Sequence, residues 1–114
     1  MKPITVELPL RIESTPNQRM HWGAKARKAR QHRHAVGWAL RGIKPPAGAV
    51  RITLTRIAPR ALDDDNCAAG CKNVRDGVAD WLGIDDGSTL LHWVYAQERG
   101  APKTYGVRIG IEAA

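Results

Sequence analysis

The sequence has only two cysteines, Cys67 and Cys71, four residues apart. On one helix face such neighbours are poorly placed for a disulfide. A zinc site needs two further ligands, and the four histidines, at 21, 32, 34 and 92, have no matching spacing. Both cysteines therefore read as small core residues. No stretch reaches the ~18 apolar residues of a membrane span. Met1-Lys2-Pro3 leads straight into alternating strand residues, without the apolar segment of a signal peptide. A cytoplasmic protein is expected. Internal repeats and low-complexity segments are lacking. Acidic residues are scarce outside one stretch: seven of the eleven lie at 63, 64, 65, 76, 80, 85 and 86.

The rest of the chain is basic. Eighteen Lys and Arg give a net charge of +7 over 114 residues. That length predicts one domain, residues 1–114, with a single core. The charge suggests a polyanionic partner, either nucleic acid or an anionic membrane surface.

Residues 3–13 alternate with a period of two and predict a strand, with Pro9 favouring an edge position. A turn-rich segment, Ser14-Thr15-Pro16-Asn17, precedes a helix expected from about Arg19 to Leu40. Trp22, Ala26, Ala29, Val36 and Leu40 form its apolar face, which Arg33 interrupts. Arg19, Lys25, Arg27, Lys28, Arg30 and Arg33 crowd into fifteen positions without an acid. A solvated helix face usually mixes charge signs, so this run reads as a phosphate-contacting surface.

A second strand begins at Val50, and the reversed alternation at Arg56-Ile57 predicts a bulge or the strand's end. A second helix is expected from Asp65 or Asn66 to Leu82, with Gly83 as its C-cap. Its apolar stripe is Cys67, Cys71, Val74, Val78, Trp81 and Leu82. Asp65, Lys72 and Asp76 fall ~140–180° from that stripe. Residues 89–98, apolar on both faces, predict a central third strand. A hairpin at Gly100–Lys103 leads to a fourth strand from Tyr105. The expected fold class is α/β, a single domain of β-α-β-α-β-β order with two helices packed on a four-stranded mixed sheet.

The acidic stretch poses the chemical question. Asp63, Asp64 and Asp65 with Asn66 supply an N-cap and first-turn acids, but capping needs one acid rather than three. A divalent cation is the other compensation for such a cluster. In an extended segment Asp63 and Asp65 project to one side, and Asp64 points away, towards the helix N–H groups. Asp85 or Asp86 completes the site if the turn after the helix returns close to the end of the second strand. All-oxygen ligation favours Mg²⁺ or Mn²⁺. Lys72 has two readings: a charge-stabilising lysine beside a phosphate, or an i,i+4 ion pair with Asp76.

Three blocks, Asp63-Asp64-Asp65-Asn66, Lys72-Asn73-Val74-Arg75-Asp76-Gly77 and Gly83-Ile84-Asp85-Asp86, resemble the RusA family of Holliday-junction resolvases. The family pattern is D-x-D-N, then a lysine with an acid four residues later, then D-D after a glycine turn. The resemblance implies a Mg²⁺-dependent endodeoxyribonuclease, with Mn²⁺ as a possible substitute, acting as a homodimer on four-way DNA junctions. It implies catalytic, metal-binding acids at Asp63, Asp65 and Asp86, and a catalytic lysine at Lys72. Asp64, Asn66 and Asp85 lie near that site. Arg19, Lys25, Arg27, Lys28 and Arg30 are the expected DNA contacts. Two departures stand out. Lys72 follows Asp65 by seven residues where the family interval is four, about one turn, ~4.5 Å, further along the same helix face. Leu62 stands where an arginine is expected, and Arg60 is the substitute. The alternative reading is a non-catalytic basic nucleic-acid-binding protein whose aspartates are structural.

Overall fold

A computed structural model gives the fold and describes residues 1–13 and 22–114. The elements are β1 (Ile4–Leu8), α1 (Trp22–Ala39), β2 (Val50–Ala58), α2 (Asp64–Gly70), α3 (Lys72–Leu82), β3 (Leu91–Arg99) and β4 (Gly106–Ala113). The turn at 14–17, the predicted helix start and Arg19 lie outside the described residues. The order is β-α-β-α-α-β-β, with three helices on a four-stranded mixed sheet, so the expected α/β class holds. The additional helix comes from a division of the second predicted helix at Cys71. Gly70 is a weak helix former, and the Cys71 N–H is shared between the Cys67 and Ala68 carbonyls at 3.1 and 3.2 Å.

The strands run in the order β1-β4-β2-β3. β2 and β3 are parallel, and the other pairs are antiparallel. β3 is thus an edge strand, not the expected central one. Its second apolar face (Val94, Ala96) is only half-buried. β1 ends at Leu8, since Pro9 has no N–H for the ladder. Leu10 and Ile12 nevertheless stay buried beyond it.

The register forms three cross-strand rows. Ile4, Ile111, Ile52 and Trp93 make the first, and Val6, Ile109, Leu54 and Tyr95 the second. Leu8, Val107, Arg56 and Gln97 make the third. Polarity rises along this face towards the C-terminal ends of the two parallel strands. β2 has no bulge at Arg56-Ile57: its alternation simply continues, with Arg56 occupying a buried position, 7% exposed. Three hydrogen bonds make that possible. The guanidinium donates to the carbonyls of Ile12 (3.0 Å) and Arg60 (2.7 Å) and to Gln97 Oε1 (3.3 Å).

Val36, Leu40, Cys67, Cys71, Val74 and Val78 cover the inner strand residues. α1 packs with its expected face, with Val36 and Leu40 buried and Ala26 and Ala29 half-buried, but Trp22 departs from it. Trp22 is 77% exposed, and His32 is buried beside Val36 instead. Arg33 now has an explanation: it reaches across to α3 and pairs with Asp80 at 2.6 Å. Burial, then the nearby Lys28 charge, lowers the basicity of His32, whose Nδ1 has no hydrogen-bond partner among the described residues. Gly83 caps α3 in the left-handed conformation, as expected. Its N–H and that of Ile84 both return to the Ala79 carbonyl.

α1 and α3 approach closely at Gly77, where a Cβ would sit 2.9 Å from Val36 Cβ. No rotamer change relieves that contact, so the helices must separate. Gly77→Ala should therefore lower stability by about 1–2 kcal/mol, an overpacking cost partly offset by better helix propensity. Urea unfolding of the two proteins measures this; an unchanged midpoint would contradict the tight α1–α3 contact.

Both cysteines are free and buried. Burial and then the neighbouring Cys67 push the Cys71 thiol up to about 12, and burial also raises Cys67. Neither thiol is ionised near neutral pH. Iodoacetamide at pH 8 should label them only as fast as the protein unfolds; rapid native labelling would disprove that burial.

Candidate active site

The site grows from the C-terminal ends of β2 and β3, where parallel strands commonly open to ligands. After β2 the chain passes Pro59, Arg60 and Ala61 to Leu62. Gln97 of β3 holds Leu62 in both directions: its Nε2 donates to the Leu62 carbonyl at 2.7 Å, and its Oε1 accepts from the Leu62 N–H at 2.8 Å. Arg56 grips the Arg60 carbonyl from below. The start of the acidic run is therefore fixed by two buried or half-buried polar side chains. Neither announces itself in the sequence. Arg56 looks like a break in alternation, and Gln97 like an ordinary strand polar residue.

Asp63 is the N-cap of α2, and its carbonyl accepts from the Cys67 N–H at 2.9 Å. Its side chain makes no capping hydrogen bond. Asp64 and Asp65 already belong to the first helical turn. The extended geometry expected for this run, with Asp63 and Asp65 projecting together, is thus replaced by helix. Asp64 and Asp65 instead line a groove of about 500 Å³ between α2 and β3, with Cys67, Tyr95 and Gln97 opposite or beneath them. All three aspartates are exposed, and none has an ion pair among the described residues. Capping therefore does not account for the cluster. The helix N-terminus still favours these charges through its dipole. Asn66 follows, half-buried.

Asp86 is organised differently. Arg75 of α3 donates to its carboxylate from Nε at 2.9 Å and to its carbonyl from Nη2 at 3.1 Å. Trp93 Nε1 donates to the same carbonyl at 2.8 Å. The guanidinium also lies 4.7 Å from the Trp93 ring centroid and donates to the Tyr95 hydroxyl at 3.0 Å. Arg75 thus fastens the α3–β3 turn to β3. Its hydrogen bond holds the Asp86 carboxyl below the usual range, with a smaller pull from the more distant Lys72. Asp85 stays exposed and accepts from the Gly87 N–H at 3.4 Å. Tyr95 connects the two acidic groups: its side chain lines the Asp64–Asp65 groove, and its hydroxyl meets the arginine that holds Asp86.

Lys72 is 74% exposed and makes the i,i+4 contact with Asp76, at 3.5 Å. It also lines a cleft of about 390 Å³ with Lys25 and Lys28 of α1. The cationic helix therefore meets the acidic site at this lysine. Of the proposed DNA contacts, Lys28 is engaged with Glu13 at 3.4 Å. Lys25, Arg27 and Arg30 carry no ion pair among the described residues. Arg60 is exposed.

Among the described residues, no three His, Cys, Asp or Glu side chains form a group able to hold a metal ion. The donor chemistry at the groove nevertheless suits one kind of cation. Mg²⁺ commonly takes one or two carboxylates and completes its shell with water and substrate phosphates. Asp64 and Asp65 are unpaired carboxylates of that kind.

No family model matches the chain. The chain is similar to an uncharacterized protein of Xylella fastidiosa (strain Temecula1 / ATCC 700964), with 34% identity over 102 residues. The match covers 81% of this chain and 65% of that protein's length. No described helix is long and apolar enough to cross a membrane.

Arg75 is the functional-site residue that the sequence reading missed. It lies three positions after Lys72, within a quoted block, yet only its contacts reveal its role. Removing it by Arg75→Ala should raise the Asp86 carboxyl towards the ordinary 3.8. A depressed carboxyl stabilises the fold fully above that value and loses its contribution as pH falls through the lower folded value. The variant should therefore show a flatter acid limb below about pH 4, where the parent loses this contribution. Carbon-detected NMR titration of Asp86 provides the check: an unmoved titration would show that Arg75 does not set it.

Proposed function

We propose that this protein is a Mg²⁺-dependent, structure-selective DNA endonuclease acting on four-way junctions, as the RusA resemblance implies. The observation that supports it best is the unpaired run Asp63–Asp65 beside a groove, in a protein of net charge +7. Three adjacent carboxylates repel one another, and a bound cation would relieve that repulsion beyond what the helix N-terminus does. The resemblance implies Asp63, Asp65 and Asp86 as ligands; the carboxylates that face the groove are Asp64 and Asp65, a pair suited to a Mg²⁺ whose shell is completed by water and substrate phosphates. The bound ion, Mg²⁺ or Mn²⁺, would supply an activated water and neutralise charge on the scissile phosphate.

The protein's own residues divide the remaining work. Arg75 keeps Asp86 ionised and its turn in position. Lys72, Lys25 and Lys28 present positive charge to the backbone phosphates across one cleft. Arg27, Arg30 and Arg60 extend that field, and Arg19 belongs to the same proposed set. A homodimer would offer two such sites related by a two-fold axis, the symmetry of a junction. Work on DNA would place the protein in the cytoplasm.

A second reading, a non-catalytic basic nucleic-acid-binding protein, draws on the pairs Arg75–Asp86 and Lys72–Asp76. In it these side chains serve the fold alone. One experiment separates the two readings: a labelled four-way junction and a linear duplex are incubated with Mg²⁺ or with EDTA. Paired symmetric nicks confined to the junction and dependent on Mg²⁺ are expected. Asp65→Asn should retain junction binding and cut at least ~100-fold more slowly, a loss comparable to the larger effects of disturbing a metal site. Equal cutting by parent and variant would refute the assignment of Asp65.

A further inference from the structure

α1 carries a second feature, on the side away from the lysine cleft. Arg27, Gln31, His34 and Trp38 recur at intervals of four, three and four, which sets them on one stripe of α1, and Arg41, in the turn just after the helix, continues it. All five are exposed. The stripe spans about 21 Å at 1.5 Å per residue. α1 contains no acidic residue along its whole length. A tryptophan at the surface of a cationic helix calls for an explanation, because Trp38 remains 59% exposed.

Its neighbours hold it in place without covering it. Trp38 Nε1 donates to His34 Nε2 at 2.8 Å. That bond runs in the indole plane, so His34 occupies an edge of the ring rather than a face. The Arg41 guanidinium lies over the ring, 4.8 Å from its centroid. It takes one face, and neither neighbour takes the other. The indole is thus immobilised in advance, with a flat apolar face and positive charge beside it. Aromatic faces flanked by cations suit unpaired nucleotides: the base stacks on the ring while the phosphate meets the charge. A base within a duplex is already stacked on both sides and gains nothing there. A protein partner would fit the aromatic ring equally well, but less well the uniform positive charge around it.

We infer that Trp38, braced by His34 and Arg41, is a stacking platform for an unpaired nucleotide of single-stranded DNA. The choice of DNA rests on the function proposed above; the stacking geometry does not. The site lies on a different face of α1 from the Lys25–Lys28–Lys72 cleft, so its contribution is separable from backbone binding.

The test is fluorescence anisotropy in EDTA, which excludes cutting, using an oligo(dT) and a duplex with the same number of phosphates. Trp38→Ala should weaken oligo(dT) binding by roughly 5- to 100-fold, the range for loss of one stacked base. Duplex binding should change by less than about two-fold, because the phosphate contacts are untouched. Trp38→Phe should restore most of the oligo(dT) affinity. An unchanged thermal midpoint for Trp38→Ala is expected, since the side chain is exposed. The inference is overturned if oligo(dT) affinity is unchanged, if both ligands weaken equally, or if the parent binds no oligo(dT) at low salt. Tighter binding of oligo(U) than of oligo(dT) would overturn the choice of DNA. Failure of the nuclease reading appears elsewhere, as absent Mg²⁺-dependent cutting of the junction by the parent.

Discussion

A buried guanidinium holds together the end of this molecule that carries the candidate site. Arg56 occupies an inward position of β2 that the strand pattern reserves for an apolar side chain. Its acceptors are two backbone carbonyls and one amide oxygen, from three separate segments. One is the tail that follows β1, another the loop that leads to the aspartates, and the third β3. None is a carboxylate. A charge desolvated in this way is tolerated only when its donors are satisfied. The three segments are therefore obliged to meet around it, since losing one acceptor leaves part of a buried charge unpaired. The acidic run begins where that obligation ends, on a loop whose path has been decided beneath it.

The same logic explains the two classes of aspartate. Asp86 has a dedicated cation in Arg75, which also engages Trp93 and Tyr95, so its carboxylate is oriented and ionised within the fold. Asp63, Asp64 and Asp65 have only the field of a helix N-terminus. One group is pre-set, and the other is left with charge in excess. The groove between α2 and β3 joins them through a single tyrosine, a short connection between a finished ion pair and an unfinished one.

Much of this was legible in sequence. Period-two alternation located β1, β2 and β4, a run apolar on both faces located β3, and the apolar stripe located the second helix together with its Gly83 cap. The failures share a cause, which is that contacts from distant segments override local pattern. Arg56 looked like a bulge because three acceptors, as far away as Ile12, are invisible along the strand. Arg33 looked anomalous until Asp80 appeared opposite it. β3 looked central because of its apolar residues, yet strand order depends on chain crossings that no strand's own composition records. In the site, residue types pointed to the acidic cluster and Lys72. They did not reveal that the helix begins as early as Asp64, and they left Lys72 open between Asp76 and a phosphate. Arg75 was hidden because its three partners lie eleven to twenty residues further on.

The strand order carries one more consequence. β1 is the first of the four strands in sequence, yet among the described residues its one neighbour in the sheet is β4, the fourth; Ile4 lies opposite Ile111. β2, α2, α3 and β3 form a parallel crossover that can assemble from contiguous chain. β1 has no edge to join until β4 has been laid beside β2. Pairing of its five residues therefore joins the two ends of the sheet's sequence order, and β4, once in place, closes on β1 and β2 at once.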